Sequence, residues 1–241
     1  MNYAISYGDQ RFVNQRQIAA NSLSKFMDQV TLFTERDLAP YYPLHPKILY
    51  PGARGGGFWL YKAIFLDVMM DRLKDGDGLM WMDAGCELIA DPAILFEIAQ
   101  EHSGFCLFQQ NHQNKRFIHR KCFQGMGCDY THYSNDYQCD AVTMVFIKNH
   151  KTIGFLKEFL FCCSLPELIT DSDGENESEE LFDHRHDQSI ITLLAIKNKI
   201  PRFRSPTQYG EQENLRLFLT FYERAVSALY PTLFNHCRNR F

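Results

Sequence analysis

Gly76-Asp77-Gly78-Leu79-Met80-Trp81-Met82-Asp83-Ala84-Gly85-Cys86-Glu87-Leu88 is the stretch that decides how this chain folds. A glycine-bounded turn is followed by four apolar residues without polar alternation, the pattern of a strand covered on both faces. The run ends on a carboxylate and then on small residues. In open α/β sheets ligands bind beyond the carboxyl ends of the strands, so Asp83 is the first candidate for chemistry, although Asp and Gly also make ordinary turns.

On the N-terminal side, Tyr3–Tyr7 predicts a strand ending at Gly8-Asp9, Phe12 to Phe26 a helix with one apolar face, and Val30–Phe33 a second strand. A first β-loop-α unit of this kind commonly holds a nucleotide, with the base against an aromatic ring and phosphate or sugar on backbone amides. Tyr7 and Phe12 are the candidates for the base, and Gly8 for the close backbone approach. No GxGxxG follows the first strand, which argues against a dinucleotide fingerprint. Gly55-Gly56-Gly57-Phe58-Trp59-Leu60-Tyr61-Lys62 then opens a helix to about Lys74. Its glycines permit close approach, and Lys62 is a cation within reach of a diphosphate.

Beyond the central strand, Asp91 as N-cap and Pro92 as first helical residue predict a helix over Ala93 to Gln100. Phe105–Phe108 and Gln138–Ile147 read as strands, the second carrying Asp140, and a helix from about Ile153 to Cys163 follows. The polar, aromatic segment between the two strands, Gln109 to Tyr137, suits an acceptor pocket. Asp171 to Asp183 is an acidic run expected to be solvated and mobile. It leads into His184-Arg185-His186-Asp187-Gln188-Ser189, at the front of an apolar helix reaching about Lys197. Ionisable side chains there cost free energy unless something uses them. A helix is expected around Leu215 to Leu229, and the C-terminal end places His236 and Arg238 where they could fold back against phosphates.

The 241 residues, 45% of them apolar, suffice for one α/β domain. A net charge of -4 and a pI near 6.1 leave no broad basic footprint for nucleic acid. Eight cysteines without a CxxC pair suit reduced thiols and a cytoplasmic location. Cys122 and Cys128, near His119 and His132, do not have structural zinc spacing. Neither a signal peptide nor an apolar run of about 18 residues is legible, so no transmembrane segment is expected.

Taken together, Gly57-Phe58-Trp59…Lys62, Asp83-Ala84-Gly85-Cys86-Glu87, Asp140…Met144-Val145-Phe146 and His184-Arg185-His186-Asp187-Gln188-Ser189 resemble a GT-A-type glycosyltransferase of surface-glycan synthesis. The resemblance implies a GT-A-like (Rossmann-like) α/β fold, with a mixed, mostly parallel central sheet flanked by helices. It implies one domain over residues 1–241, with a nucleotide-binding half over 1–100 and an acceptor-binding half over 101–241. It further implies a hexosyl- or deoxyhexosyltransferase that moves a sugar from a UDP- or GDP-type donor to a saccharide acceptor. In that picture Asp187 faces the anomeric carbon with Asp140 and His186 beside it. Trp59, Arg185 and Gln188 contact donor or acceptor sugar, Asp83 serves the nucleotide, and Asp83 with His236 holds a divalent metal such as manganese. The chain departs from the family's Asp-x-Asp, because Gly85 stands at the second acidic position. Without a metal, Lys62 and Arg238 are the expected substitutes. Two other readings are a non-catalytic nucleotide-sugar or saccharide-binding module and a metal-dependent phosphohydrolase built on His186-Asp187. The strand-helix alternation weighs against the latter.

Overall fold

The Asp83 stretch forms the third strand of a six-stranded sheet in a computed structural model that describes residues 1–174, 177–210 and 219–236. The strands are β1 (Asn2–Tyr7), β2 (Gln29–Phe33), β3 (Gly78–Met82), β5 (Phe105–Gln113), β6 (Tyr137–Ile147) and β7 (Arg202–Arg204), in the order β2-β1-β3-β6-β5-β7. Strands β2, β1 and β3 pair in parallel, as do β5 and β7, whereas β6 runs antiparallel to both of its neighbours. The sheet is thus mixed and mostly parallel. A two-stranded ribbon joins β4 (Cys86–Leu88) to β8 (Phe234–His236).

Side chains alternate between two apolar cores, which is why β3 carries no polar residue before its end. Leu79 and Trp81 enter one core with Ile5 and Tyr7; Met80 and Met82 enter the other with Ala4. The first core is closed by three helices, α2 (Leu60–Arg72), α4 (His150–Cys163) and α5 (His186–Lys197). The second is closed by α1 (Val13–Leu23), α3 (Ala93–Glu101) and α6 (Phe221–Ser227). With both faces covered, the exposed working edge is the one where the parallel strands end.

Several boundaries differ from those expected. Pro92, not Asp91, is the N-cap of α3, and Asp91 Oδ1 accepts from the Ala93 N–H at 2.9 Å. Gln10–Phe12 forms a short 3-10 turn, so α1 begins at Val13. The segment after Phe108 is more regular than its composition suggests: β5 continues to Gln113, and short helices cover Asn114–Phe117, Arg120–Gly125 and Tyr130–Tyr133. The acidic run is tied down along its described length. Asp171 pairs with Arg54, Asp173 with Lys121 and Glu180 with Lys115, while Glu177 accepts from the Arg120 N–H. The expected helix over 215–229 is described only as α6. No described helix is long and apolar enough to cross a membrane.

Candidate functional site

Two adjoining cavities lie beyond the carboxyl ends of β1 and β3, with Trp59 and Asp83 in the walls of both. The larger, about 400 Å³, is lined by Tyr7, Gly8 and Phe12 and by Arg11, Tyr61, Ala84 and Gly85. The smaller, about 210 Å³, is lined by Lys62, Arg185, His186, Asp187 and Gln188 together with Arg54 and Asp183. Most of the residues singled out from sequence therefore meet at one place. Asp140 does not line these cavities: its Oδ2 accepts from Ser205 Oγ at 2.7 Å and its Oδ1 from the Val142 N–H at 3.0 Å. That makes it a brace for the start of β6. His236 sits on β8 opposite Cys86, its ring against Tyr209. Arg238 lies outside the described residues.

Trp59 reaches its position through an unusual backbone. From Gly55 to Trp59 five consecutive residues have positive φ, so Gly55–Phe58 winds as a left-handed turn before α2 begins. Glycine tolerates this conformation; Phe58 and Trp59 are strained in it by about 1–2 kcal/mol each. The glycines are also needed for space. A Cβ on Gly57 would lie 2.2 Å from Leu49 Cδ2, and one on Gly55 would lie 2.8 Å from the Trp59 ring. His186, the first residue of α5, also has positive φ and stacks on Trp59 with ring centroids 5.2 Å apart. Two strained residues thus pack against each other where the cavities join, the usual location of stored backbone strain.

At the floor lies a buried ion triad. Lys62, only 3% exposed, donates to the Ala141 carbonyl at 2.9 Å and stands 3.2 Å from Asp83 Oδ1 and 3.3 Å from Asp187 Oδ2. Trp81 Nε1–H donates to Asp83 Oδ1 at 2.8 Å, as side chains two apart on one strand face can. Burial pulls the Lys62 ammonium down, but Asp187 and Asp83 more than offset it and hold it above the ordinary lysine value. Burial raises Asp187, Lys62 opposes it and Asp83 adds to it, so this carboxyl is pushed up to about 6. Lys62 is accordingly an internal counterion to two carboxylates as well as part of the cavity wall.

The described residues do not fit the divalent cation implied by the resemblance. No group of three or more His, Cys, Asp and Glu among them is arranged to hold a metal ion. Asp83 already faces an ammonium, and a second cation on that carboxylate would meet like-charge repulsion in a poorly solvated place.

The histidines also have other work. His184 Nε2 donates to the Leu168 carbonyl at 2.9 Å and His186 Nδ1 to that of Ile169 at 2.8 Å, and His119 faces the His184 ring at 3.9 Å. Burial holds all three below the ordinary histidine value, so they are neutral props for the root of the acidic segment. His186 Nε2 stands 3.7 Å from Asp171 Oδ1, but among the described residues no group of three or more His, Cys, Asp and Glu gathers there as the phosphohydrolase reading would need. Sequence reasoning missed Arg54, Asp183, Arg11 and Tyr61. For Tyr61, its place in the turn after the glycines was the available signal; Arg54 and Asp183 come together only through folding, in a 4.0 Å ion pair.

No family model matches the sequence, and no curated protein sequence matches it. The fold, by contrast, is similar to those of solved glycosyltransferases. The bifunctional glycosyltransferase WbbM superposes with a TM-score of 0.55 at 10% identity, over 97% of this chain and 45% of WbbM, so this chain spans less than half of that protein. Mouse xyloside xylosyltransferase 1 gives 0.52 at 9% identity, over 100% of this chain and 99% of the other. An active-site mutant of LgtC gives 0.52 at 10% identity, over 98% and 86% respectively. These neighbours are GT-A-type glycosyltransferases, and the fold expected from the sequence is the fold observed.

Two measurements test this account. Lys62→Met should lower stability by about 3–5 kcal/mol, the usual result of stripping the counterion from buried charge. The deficit should shrink as pH falls from about 8 to about 5, because protonating one carboxylate relieves the repulsion. A pH-independent deficit in thermal or urea melts would mean that the triad is not ionised as described. The histidine props give the wild type the opposite dependence. Their folded pKa values lie below the unfolded value of 6.5, so the unfolded chain binds more protons and stability falls as pH drops through that value. Each histidine contributes a slope of at most about 1.4 kcal/mol per pH unit, and His184→Gln should flatten the curve.

Proposed function

We propose that the protein is a glycosyltransferase that moves a sugar, hexosyl or deoxyhexosyl, from a nucleoside-diphosphate sugar of UDP or GDP type to a hydroxyl of a saccharide acceptor. The observation that carries this reading is the Lys62-Asp83-Asp187 triad at the junction of two cavities beyond the carboxyl ends of β1 and β3. The glycosyltransferase fold of the neighbours supports it, one of them bearing the name xyloside xylosyltransferase. The larger cavity is assigned to the nucleotide, its base against Tyr7 or Phe12 and its ribose toward Asp83. The smaller is assigned to the transferred sugar, bounded by Trp59, Arg185, Gln188 and Asp187. Residues 1–100 then supply most of the nucleotide side and residues 101–241 the acceptor side.

In the reaction the bond from the anomeric carbon to the diphosphate oxygen breaks, the electron pair leaves with the diphosphate, and the acceptor oxygen forms the new bond as its proton departs. Negative charge grows on the leaving group, so cations must face it. Arg185 in the smaller cavity, bonded to the neutral Gln110, is assigned this role first, whereas Arg11, Arg54 and Lys62 already stand against Asp9, against Asp171 with Asp183, and against Asp83 with Asp187, and would share their charge with the leaving group. Asp187 either takes the acceptor proton or steadies positive charge on the sugar ring, and both roles need its ionised form. His186 fixes the orientation of Trp59 and the start of α5. A cytoplasmic location belongs to the same proposal and is supported by the seven described cysteines, all of them free.

Incubation with a panel of UDP-, GDP- and dTDP-sugars, read by release of nucleoside diphosphate, tests the assignment. Absence of release with every donor and acceptor, despite nucleotide binding, would favour a binding module. Asp187→Asn should keep the fold and lower turnover by about 100-fold or more. The wild-type rate should fall on the acid side with a midpoint near the Asp187 value of about 6, since protonation removes the required charge. Chelation with EDTA should leave the rate unchanged. A collapse that manganese restores would return a metal to the site and revise the role given to Lys62.

A further inference from the structure

Beside the smaller cavity the acidic segment presents Phe182 to solvent, 76% exposed, in a part of the chain that is otherwise held in place. The Phe182 and Asp183 N–H groups donate to the Arg116 carbonyl at 2.9 and 3.3 Å, and the Arg185 N–H donates to that of Phe117 at 3.1 Å. The ring stands edge-on to Phe117, with centroids 6.0 Å apart, and Phe117 lies under the Arg185 guanidinium at 4.3 Å. Single exposed apolar side chains are ordinary on a folded surface; what sets Phe182 apart is that its neighbour Asp183 lies in the wall of the smaller cavity.

Beside its charged groups, the adjoining cavity wall carries the amide side chain of Gln188, with those of Gln110 and Gln138 against it. Arg185 Nη1 donates to Gln110 Oε1 at 2.9 Å, and Gln188 Nε2 approaches Gln110 Oε1 and Gln138 Oε1 at 3.3 and 3.4 Å. Such amides offer donors and acceptors in the mixture that sugar hydroxyls require. The charge of Arg54 is met by Asp171 and Asp183, and the charged side chains of the cavity wall, Arg54, Lys62 and Arg185 against Asp83, Asp183 and Asp187, balance in sign, which favours an uncharged sugar there. Asp183, next in the chain to Phe182, is in the cavity wall with Lys62 and Asp187.

We propose that Phe182 is the platform of an acceptor subsite for a neutral pyranose unit, whose C–H face stacks on the ring while its hydroxyls engage Gln110, Arg185 and Gln188. The inference rests on the glycosyl-transfer reading, but its test needs no turnover. Methyl glycosides of glucose, galactose, mannose, xylose and N-acetylglucosamine, together with lactose and methyl glucuronide, are added to the full chain and followed by saturation-transfer NMR. At least one neutral sugar should bind, with transfer strongest to the protons of one ring face. Phe182→Ala should weaken it about five- to tenfold and Phe182→Trp should retain it. The melting temperature and nucleotide affinity of each variant report whether the fold is intact. Binding of no neutral sugar, binding of the glucuronide alone, or equal binding to Phe182→Ala would overturn the proposal. A protein that binds the sugar through Phe182 yet releases no nucleoside diphosphate from any donor would sink the transfer reading and leave the subsite standing.

Discussion

The Lys62 ammonium is the constraint on which the rest of the arrangement depends. It is fixed by four separate pieces of chain: its own helix α2, the end of β3 through Asp83, the start of β6 through the Ala141 carbonyl, and the first turn of α5 through Asp187. Taking three charges out of water is expensive, and replacing such a buried trio by well-packed hydrophobic residues is often neutral or stabilising. What the charges add is position. Each carboxylate is drawn to one nitrogen, so the strand end and the helix start cannot drift apart without stranding a charge.

The direction of β6 makes this meeting possible. In an all-parallel sheet every neighbour of β3 would end where β3 ends, and a helix or loop would have to supply the opposing backbone. Because β6 runs the other way, its first residues arrive at that edge, and the Asp83 N–H donates to Val142 there at 2.9 Å. Strand β5 reaches the same edge from below, and α5, which leads into the parallel strand β7, begins there. The segment between Gln113 and Tyr137 and the acidic run are both carried to that rim as connections, which explains why polar composition collects in them.

Much of this was legible in the sequence because burial on two faces leaves a plain signature: Leu79 to Met82 could hardly be anything but a central strand, and Ile190 to Leu194 a covered helix. Strand ends and helix starts then located Asp83 and Asp187. The partner between them was less legible. Lys62 reads in sequence as a cation near a helix start, and nothing local says that it turns inward, since the two carboxylates that neutralise it lie 21 and 125 residues further along. The partners of the acidic run were hidden for a related reason. Its composition describes a solvated loop, and its carboxylates are about half exposed, but Arg54, Lys115 and Lys121 lie far away in the chain and become their partners only in the fold. His119, His184 and His186 look like ligands or catalysts by residue type. Only their distances to successive carbonyls show that two of them, at least, spend a ring nitrogen on the backbone.

The reversed winding between Gly55 and Trp59 has a consequence for how this centre comes into being. The three glycines accept that hand freely, but Phe58 and Trp59 avoid it in a short peptide, so their part of the turn is imposed by neighbours already in place, the His186 ring upon Trp59 above all. The wall that Trp59 gives to both cavities is therefore a product of tertiary packing, complete only once the chain on either side of it has folded.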